Sequence, residues 1–367
     1  DAKGALLLEP TRSNLITYSE DFTNAIWTNT GAAISVNPTA NLSPDGTLTG
    51  NEFNEGTSSQ RRAIFEDLSV TANQINTLSV FVKKGTSNYL RLVIAENGDS
   101  GDWTAVQVDL SNNSLIIGNG SNNSFTDISS SISSVDYNGY YRLQLTANHP
   151  TGTSLRLLFC TSNTASIAPS NSYGRPDYTG TNKTVFVWGA QLEQGSYATS
   201  YIPTQGSAVT RVADASSQTV PSGVIGQTEG SVFFDLNTTL KNYSVISISD
   251  GTNANRVVFY FSAVLNQIAS YITKSNVNSS TISSIVNSYP NSNYKVVIKY
   301  NSIGFYIFAN GGLIGTILSN YSFPNNTLNE IKLSSPDNSN FFEGKVKNIK
   351  VYNQSLTDSE AIALTTI

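Results

Sequence analysis

Two stretches decide the fold: Tyr89-Leu-Arg-Leu-Val-Ile94 and Ser154-Leu-Arg-Leu-Leu-Phe159. Each is short, rich in branched aliphatic and aromatic side chains, and bounded by Asn, Gly, Ser or Pro, which is the chemistry of a β-strand. Working outward, the pattern returns at Leu78-Ser-Val-Phe-Val-Lys83, Tyr140-Tyr-Arg-Leu-Gln-Leu145, Arg256-Val-Val-Phe-Tyr-Phe261, Tyr294-Lys-Val-Val-Ile-Lys-Tyr300 and Gly304-Phe-Tyr-Ile-Phe308. Many short strands, each with an apolar face to cover, predict antiparallel sheets stacked as sandwiches. Helical periodicity stands out once, at Thr357-Asp-Ser-Glu-Ala-Ile-Ala-Leu364, where Thr357 and Glu360 have the spacing of a capping box. The expectation is an all-β chain of two tandem antiparallel β-sandwiches with a short C-terminal helix.

The boundary between them is expected in the polar, small-residue stretch 206–227, which contains Ala213-Asp-Ala-Ser-Ser and Pro221-Ser-Gly and has the composition of a linker. Before it, a unit over 1–205 closes with Val185-Phe-Val-Trp-Gly-Ala-Gln-Leu192. After it, a unit over 228–367 opens with Gly230-Ser-Val-Phe-Phe-Asp-Leu236.

Composition excludes several classes of function. The chain has 367 residues, 21 Lys and Arg against 26 Asp and Glu, a net charge of -5, one Cys, one His and no Met. It has no basic stripe, so no nucleic-acid partner is expected. One cysteine excludes an intrachain disulfide and a Cys-based zinc cluster, and one histidine excludes a multi-His metal site. No run of 18 uncharged apolar residues occurs, so no membrane insertion is expected. With Asp1 first and no Met, the chain is expected to be a segment of a longer polypeptide or a processed product, with its export route undetermined.

Asn14-Leu-Ile-Thr-Tyr-Ser-Glu-Asp-Phe22, followed by Trp27-Thr28, resembles the entry segment of jelly-roll carbohydrate-binding modules of the galactose-binding-like type. Ser43-Pro-Asp-Gly46 and the later strands follow in the order this resemblance implies, over most of 1–203. More narrowly, Gly4-Ala-Leu-Leu-Leu-Glu-Pro-Thr-Arg-Ser-Asn-Leu15 and Trp188-Gly-Ala-Gln-Leu-Glu193 with Ser200-Tyr-Ile-Pro-Thr204 resemble a cassette recurrent in bacteriophage tail-fibre, head-fibre and other virion surface proteins. Phe342-Glu-Gly-Lys-Val-Lys-Asn-Ile-Lys-Val-Tyr-Asn353 and Leu356-Thr-Asp-Ser-Glu360 are similar to the last strand and short helix of laminin-G/concanavalin-like sandwiches. A hairpin turning at Asn310-Gly311 is similar to one in the same superfamily.

These resemblances imply a jelly-roll followed by a concanavalin/laminin-G-like domain. They further imply a non-catalytic virion surface protein, a tail or head fibre component that binds cell-surface glycans or polysaccharide for host attachment. Its partners would include other virion proteins, its place the virion surface or extracellular space, and its state a homo-oligomer, commonly a trimer in fibres. Two other readings stay open: a structural decoration or adaptor without sugar binding, and an accessory carbohydrate-binding module of a secreted polysaccharide-degrading enzyme.

Concanavalin-like glycosidases carry a Glu-x-Asp-x-x-Glu run that aims paired carboxyls into the cleft. Here Glu229, Asp235 and Asp250 are isolated, so no hydrolytic centre is expected. His149, in Asn148-His-Pro-Thr-Gly152, reads as an exposed turn residue, too isolated for a lyase base pair. Cys160, Trp27 and Trp188 read as core residues.

Sugar binding needs flat aromatic faces and amide or carboxylate partners for hydroxyls. Two segments outside apparent strands concentrate these groups: Glu96-Asn-Gly-Asp-Ser-Gly-Asp-Trp103, and a loop over 164–182 holding Asn171-Ser-Tyr-Gly-Arg-Pro-Asp-Tyr178. Trp103, Tyr173, Arg175, Asp177 and Tyr178 are the candidate ligand contacts. The competing reading has these rings plug the sandwich ends or meet a neighbouring subunit. Glu96, Asp99 and Asp102 offer a structural calcium three oxygen ligands on a glycine-permitted turn, weighed against plain solvation of an acidic loop. Sugar-binding relatives often carry a calcium-supporting Asp in the final strand, which Val187-Trp-Gly-Ala190 lacks. No other cofactor is expected.

Overall fold

The computed structural model describes residues 4–31, 33–36, 42–134, 137–167, 172–238, 243–262, 267–285 and 293–367, with only the backbone described for 33–36 and 285. Asp358–Thr365 is the sole helix among the described residues, and nearly every other element is a strand paired antiparallel. The chain divides into two compact units. One is Arg12–Arg211, and the other is Val212–Ile367 together with the N-terminal segment through Thr11.

The first unit stacks two six-stranded sheets. One runs in the order Ser114–Asn119, Trp103–Asp109, Tyr89–Glu96, Ser154–Ser162, Ala63–Ser69, Thr28–Thr30. The other runs Thr126–Ile132, Tyr141–Asn148, Ile75–Lys84, Thr184–Gln194, Asn51–Asn54, Ala33–Val36. Successive side chains of a strand point to opposite faces. Leu90, Leu92 and Ile94 therefore enter the core beside Leu155, Leu157 and Phe159, and meet Leu78, Val80, Val82, Leu143, Leu145, Val185 and Val187 of the facing sheet. Each such burial stabilises by about 1.5–3 kcal/mol relative to exposure.

The outward face of the first sheet is also apolar, so something must cover it. Ala63, Val93, Ala95, Ala105, Leu158 and Cys160 form a second, smaller core around Trp103, closed by Ile167 and Tyr173. The small alanines leave room for the indole. Cys160 is fully buried, as its apolar flank implied. Trp27 joins the main core, and Trp188 is buried on the outer face of the second sheet with Phe81, Tyr140 and Phe186.

The Trp188–Thr204 stretch and the Asn14 segment hold one another. Gly189, at φ +65°, permits a bulge that shifts register between Trp188 and Gln191. Fully buried Asn14 donates to the carbonyls of Ala190 (3.1 Å) and Ile202 (2.9 Å), and its Oδ1 accepts from Leu192 N (3.1 Å). Gln191 Oε1 accepts from Ile202 N at 2.7 Å.

In the second unit one sheet runs Leu6–Leu8, Gly344–Tyr352, Gly230–Thr238, Asn293–Tyr300, Gly304–Ala309, Gly312–Leu318. The other runs Ser217–Thr219, Glu330–Lys332, Ser244–Ser249, Arg256–Ser262, Gln267–Lys274, Val277–Asn278, with Ile282–Ile285 also paired to Gln267–Lys274. The hairpin turns at Asn310 and Gly311, both at positive φ. Thr357 and Glu360 form the capping box, and the helix lays Ala361 against Phe233, Val297 and Phe308.

The division differs from the expected 1–205, 206–227 and 228–367. Leu6–Leu8 pairs with Gly344–Tyr352 of the second unit, so the first unit begins at Arg12. The stretch 206–227 is not a free tether. Val209–Arg211 pairs with Arg12–Asn14, Ser217–Thr219 pairs with Glu330–Lys332, and Ile225 is buried in the second core. Polar side chains hid this, because strand pairing here satisfies backbone groups rather than burying side chains.

Candidate functional site

Of the expected ligand contacts, Trp103 is a correction. It is fully buried, on a strand face that other chain segments cover, and offers no ring to a ligand. The expected calcium carboxylates do not converge either. Asp99 accepts from Gly101 N at 2.8 Å and from Asn122. Buried Asp102 accepts from Ser124 N at 2.9 Å through one oxygen, and its other oxygen lies 3.1 Å from His149 Nε2. Glu96 Oε2 stands 3.8 Å from that nitrogen. Burial raises the Glu96 carboxyl above its ordinary range, with His149 opposing and Asp102 and Asp99 reinforcing. Among the described residues no group of three or more His, Cys, Asp or Glu could hold a metal ion.

His149 is likewise corrected from exposed to buried, at 5% exposure. Gly152 N donates to its Nδ1 at 2.5 Å, which leaves the ring proton on Nε2, donated to Asp102. Its ring meets Phe125 edge-on at 4.8 Å. The turn is thus a clamp that pins the 97–103 and 122–125 loops.

Residues 168–171 of the 164–182 loop, including Asn171, lie outside the described residues. Beyond them, Tyr178 is a brace: its hydroxyl donates to Glu55 Oε2 at 2.8 Å, and Arg62 lies over its ring at 4.9 Å. Burial raises its pKa. Tyr173, at φ +58°, stacks on Arg156, whose guanidinium is held between the rings of Tyr173 (4.6 Å) and Phe65 (4.2 Å) while forking onto Asp67 at 2.7 and 2.8 Å.

Arg175 and Asp177 do come together, in an open cleft of about 350 Å³ lined by Thr30, Gly31, Gln60, Arg61, Arg175 and Asp177. The strand Asp177–Thr179 pairs with Ser59–Arg61, setting Asp177 opposite Arg61 with 3.9 Å between the charged groups. Gly31 is required at the wall: it sits at φ +72°, and a Cβ there would fall 2.7 Å from the Arg61 carbonyl oxygen. Burial, helped by the charges of Arg61 and Arg156, lowers the Arg175 pKa, although arginine stays cationic in proteins. Thr30, Gly31, Gln60 and Arg61 were missed from sequence. The available signal was the Arg61-Arg62 pair in a chain only 13% charged.

Sequence reading also missed a second surface, on the second unit. Ile246, Ile248, Val257, Phe259, Phe261, Ile268 and Ile272 point into its core. Strand alternation therefore turns Tyr260 and Tyr271 outward, with Tyr243 at the end of the neighbouring strand. Tyr243 is exposed, and the other two are half-buried. The rings form a row, with centroids 5.7 Å and 6.2 Å apart. Arg256 extends the row, 5.3 Å over Tyr271, and donates to Asn253, which in turn donates to Asp337 at 3.0 Å. Half-exposed rings bordered by amide, guanidinium and carboxylate groups suit the apolar face and hydroxyls of a pyranose.

Residues 213–362 match the family model of the concanavalin A-like lectin/glucanases superfamily, Laminin_G_3. No curated protein matches the chain. Among solved structures, the chain is similar to the leech intramolecular trans-sialidase complexed with 2,7-anhydro-Neu5Ac (19% identity, 42% of this chain and 28% of that one, TM-score 0.35). It is similar also to the native heptameric SAP-like pentraxin of Limulus polyphemus (13% identity, 41% and 73%, TM-score 0.34). Domains LG4-5 of the mouse laminin alpha1 chain are a third (11% identity, 85% and 89%, TM-score 0.28). The chain spans little more than a quarter of the trans-sialidase. At these TM-scores the likenesses carry no argument. The second unit is a concanavalin-like sandwich on the family match.

Proposed function

We propose that the protein is a non-catalytic glycan-binding protein whose second unit grips saccharide on the Tyr243–Tyr260–Tyr271 face. The observation that carries this reading is the outward tyrosine row with Arg256 and Asn253 on a concanavalin-like sandwich. Its chemistry favours gripping over cleavage. Asp337, the carboxyl joined to this face, is held down at about 2 by donors from Ser339 and Asn253, which suits accepting from sugar hydroxyls rather than supplying the proton that glycoside hydrolysis needs. The finer reading is a virion surface protein, a tail or head fibre component that attaches to host-cell glycans, and it rests on the resemblance of the Gly4–Leu15 and Trp188–Thr204 cassettes. A single open site of this kind binds weakly, so avidity through a homotrimer would supply the strength that adsorption needs.

A glycan array probed with the intact oligomer tests the reading, alongside Tyr260→Ala and Tyr271→Ala. Binding to a defined set of host-surface glycans, lost in both variants, is expected. Absence of binding to every glycan, or binding indifferent to both substitutions, would overturn the site. Release of new reducing ends from a bound glycan would overturn the non-catalytic assignment.

A further inference from the structure

The geometry points to a second binding site, on the first unit: the cleft between Gly31, Gln60, Arg61, Arg175 and Asp177 takes the carboxylate of an acidic saccharide. Three of its features select that ligand.

The first is a committed, unspent guanidinium. Arg175 Nε donates to the Ser172 carbonyl at 3.0 Å, which fixes the plane of the group. Among the described residues its two terminal nitrogens meet no acceptor. Neighbouring arginines are spent: Arg156 on Asp67, Arg62 on the carbonyls of Ser58 and Gln60, and Arg91 on Gln107 and the Gly174 carbonyl. A pre-oriented planar fork matches a carboxylate in a two-bond geometry that lysine cannot reproduce.

The second is charge. Arg61 and Arg175 against Asp177 leave the cleft one positive charge, in a chain whose net charge is -5. One monoanionic group balances it. A phosphate dianion would overshoot and meet Asp177 at short range.

The third is the rest of the lining. At 3.9 Å the Asp177–Arg61 contact is loose, so the Asp177 oxygens remain able to accept from hydroxyls. Gln60 spends its amide nitrogen on Ser58 and the Gly31 carbonyl, and its side-chain oxygen stays available. One cation fork beside two hydroxyl acceptors is the equipment for a polyhydroxylated monocarboxylate. A volume of about 350 Å³ lies at the small end of ligand sites, the scale of one or two sugar rings.

Sialic acids and hexuronic acids share this chemistry. Isothermal titration of the intact chain with an α2,3-sialyl trisaccharide and with trigalacturonate, each beside its carboxyl-reduced counterpart, separates the two sources. We expect one acid to bind about tenfold or more tightly than its reduced form, the preference weakening with added salt, because charge-assisted forked pairs are roughly twice as strong as neutral hydrogen bonds. Arg175→Gln should erase the preference, and Arg175→Lys, which keeps the charge without the fork, should retain only part of it. Equal binding of acid and reduced sugar, or binding of neither acid, overturns the inference. So does an acid preference lost in Tyr271→Ala but kept in Arg175→Gln, since the acid then sits on the other unit. The two sites fail separately: loss of glycan binding in Tyr271→Ala alone leaves the cleft standing.

Discussion

Replacing Trp103 with alanine should destabilise the first unit by about 3–5 kcal/mol while leaving the tyrosine face of the second unit untouched. The indole is fully buried, and a tryptophan removes roughly 150–250 Å² from water. At about 25 cal/mol per Å² that is ~4–6 kcal/mol, trimmed by roughly 10–40% because real unfolded chains are already partly compact. The site cannot collapse cheaply: Ala95 and Ala105 are too short to reach in, and strands fix them in place. Gly120 and Gly174 approach the ring so closely that a Cβ on either would fall 2.7 Å and 2.9 Å from indole carbons, so both stretches of chain would be left facing a void. All three tryptophans, Trp27, Trp103 and Trp188, belong to the first unit. Denaturant unfolding followed by indole fluorescence therefore reports that unit alone, even if the two units unfold separately. Trp27 and Trp188 keep the signal alive in the variant. A loss below ~1 kcal/mol together with loss of glycan binding would refute the buried-core assignment and restore Trp103 as a surface platform.

The remaining expectations concern buried polar groups. Burial raises the Glu66 pKa from 4.5 to about 7, so between those values the folded state holds the extra proton and stability falls as pH rises. The span corresponds to ~3 kcal/mol, and Glu66→Gln should flatten the pH 5–8 stability profile, gaining most at pH 8; a profile unchanged from the parent would refute this. Asn14→Ala should cost ~2–4 kcal/mol in the same fluorescence assay, since it strips partners from the carbonyls of Ala190 and Ile202 and from Leu192 N. Cys160 is fully buried and its thiol is pushed up to about 12, so iodoacetamide at pH 8 should label it only after unfolding; rapid labelling of the native chain would contradict its place in the core.

Strand chemistry was legible because it is local: Leu155, Leu157 and Phe159 alternate with Leu158 and Cys160, and a strand apolar on both faces already says that both are covered. The capping box and the Asn310-Gly311 turn were legible for the same reason, each being set by residues within a few positions. The N-terminal strand was not, since nothing in Leu6-Leu-Leu8 says which sheet it will join, and its partner is more than 300 residues away in sequence. The cleft was half legible. Arg175 and Asp177 drew notice with Tyr173 and Tyr178 as ligand contacts on a loop, but Gly31, Gln60 and Arg61 reach them only through tertiary pairing.

Aromatic residues posed the harder problem, because composition gives a core ring and a binding ring the same appearance. Strand parity separates them only when what covers each face is known. Trp103 and Tyr271 both lie on the side of their sheet away from the main core. Trp103 sits under Ile167 and Tyr173 with small residues around it, whereas Tyr271 sits half-buried beside Tyr260 and Arg256. The polar neighbours are the usable difference. Thr273, Arg256 and Asn253 bond around Tyr271, and a polar rim is compatible with water beside the ring, while the alanines around Trp103 require a cover. An aromatic on an outward position flanked by hydroxyls, amides and guanidinium is therefore the better sequence candidate for ligand stacking than an aromatic next to a glycine-rich acidic turn.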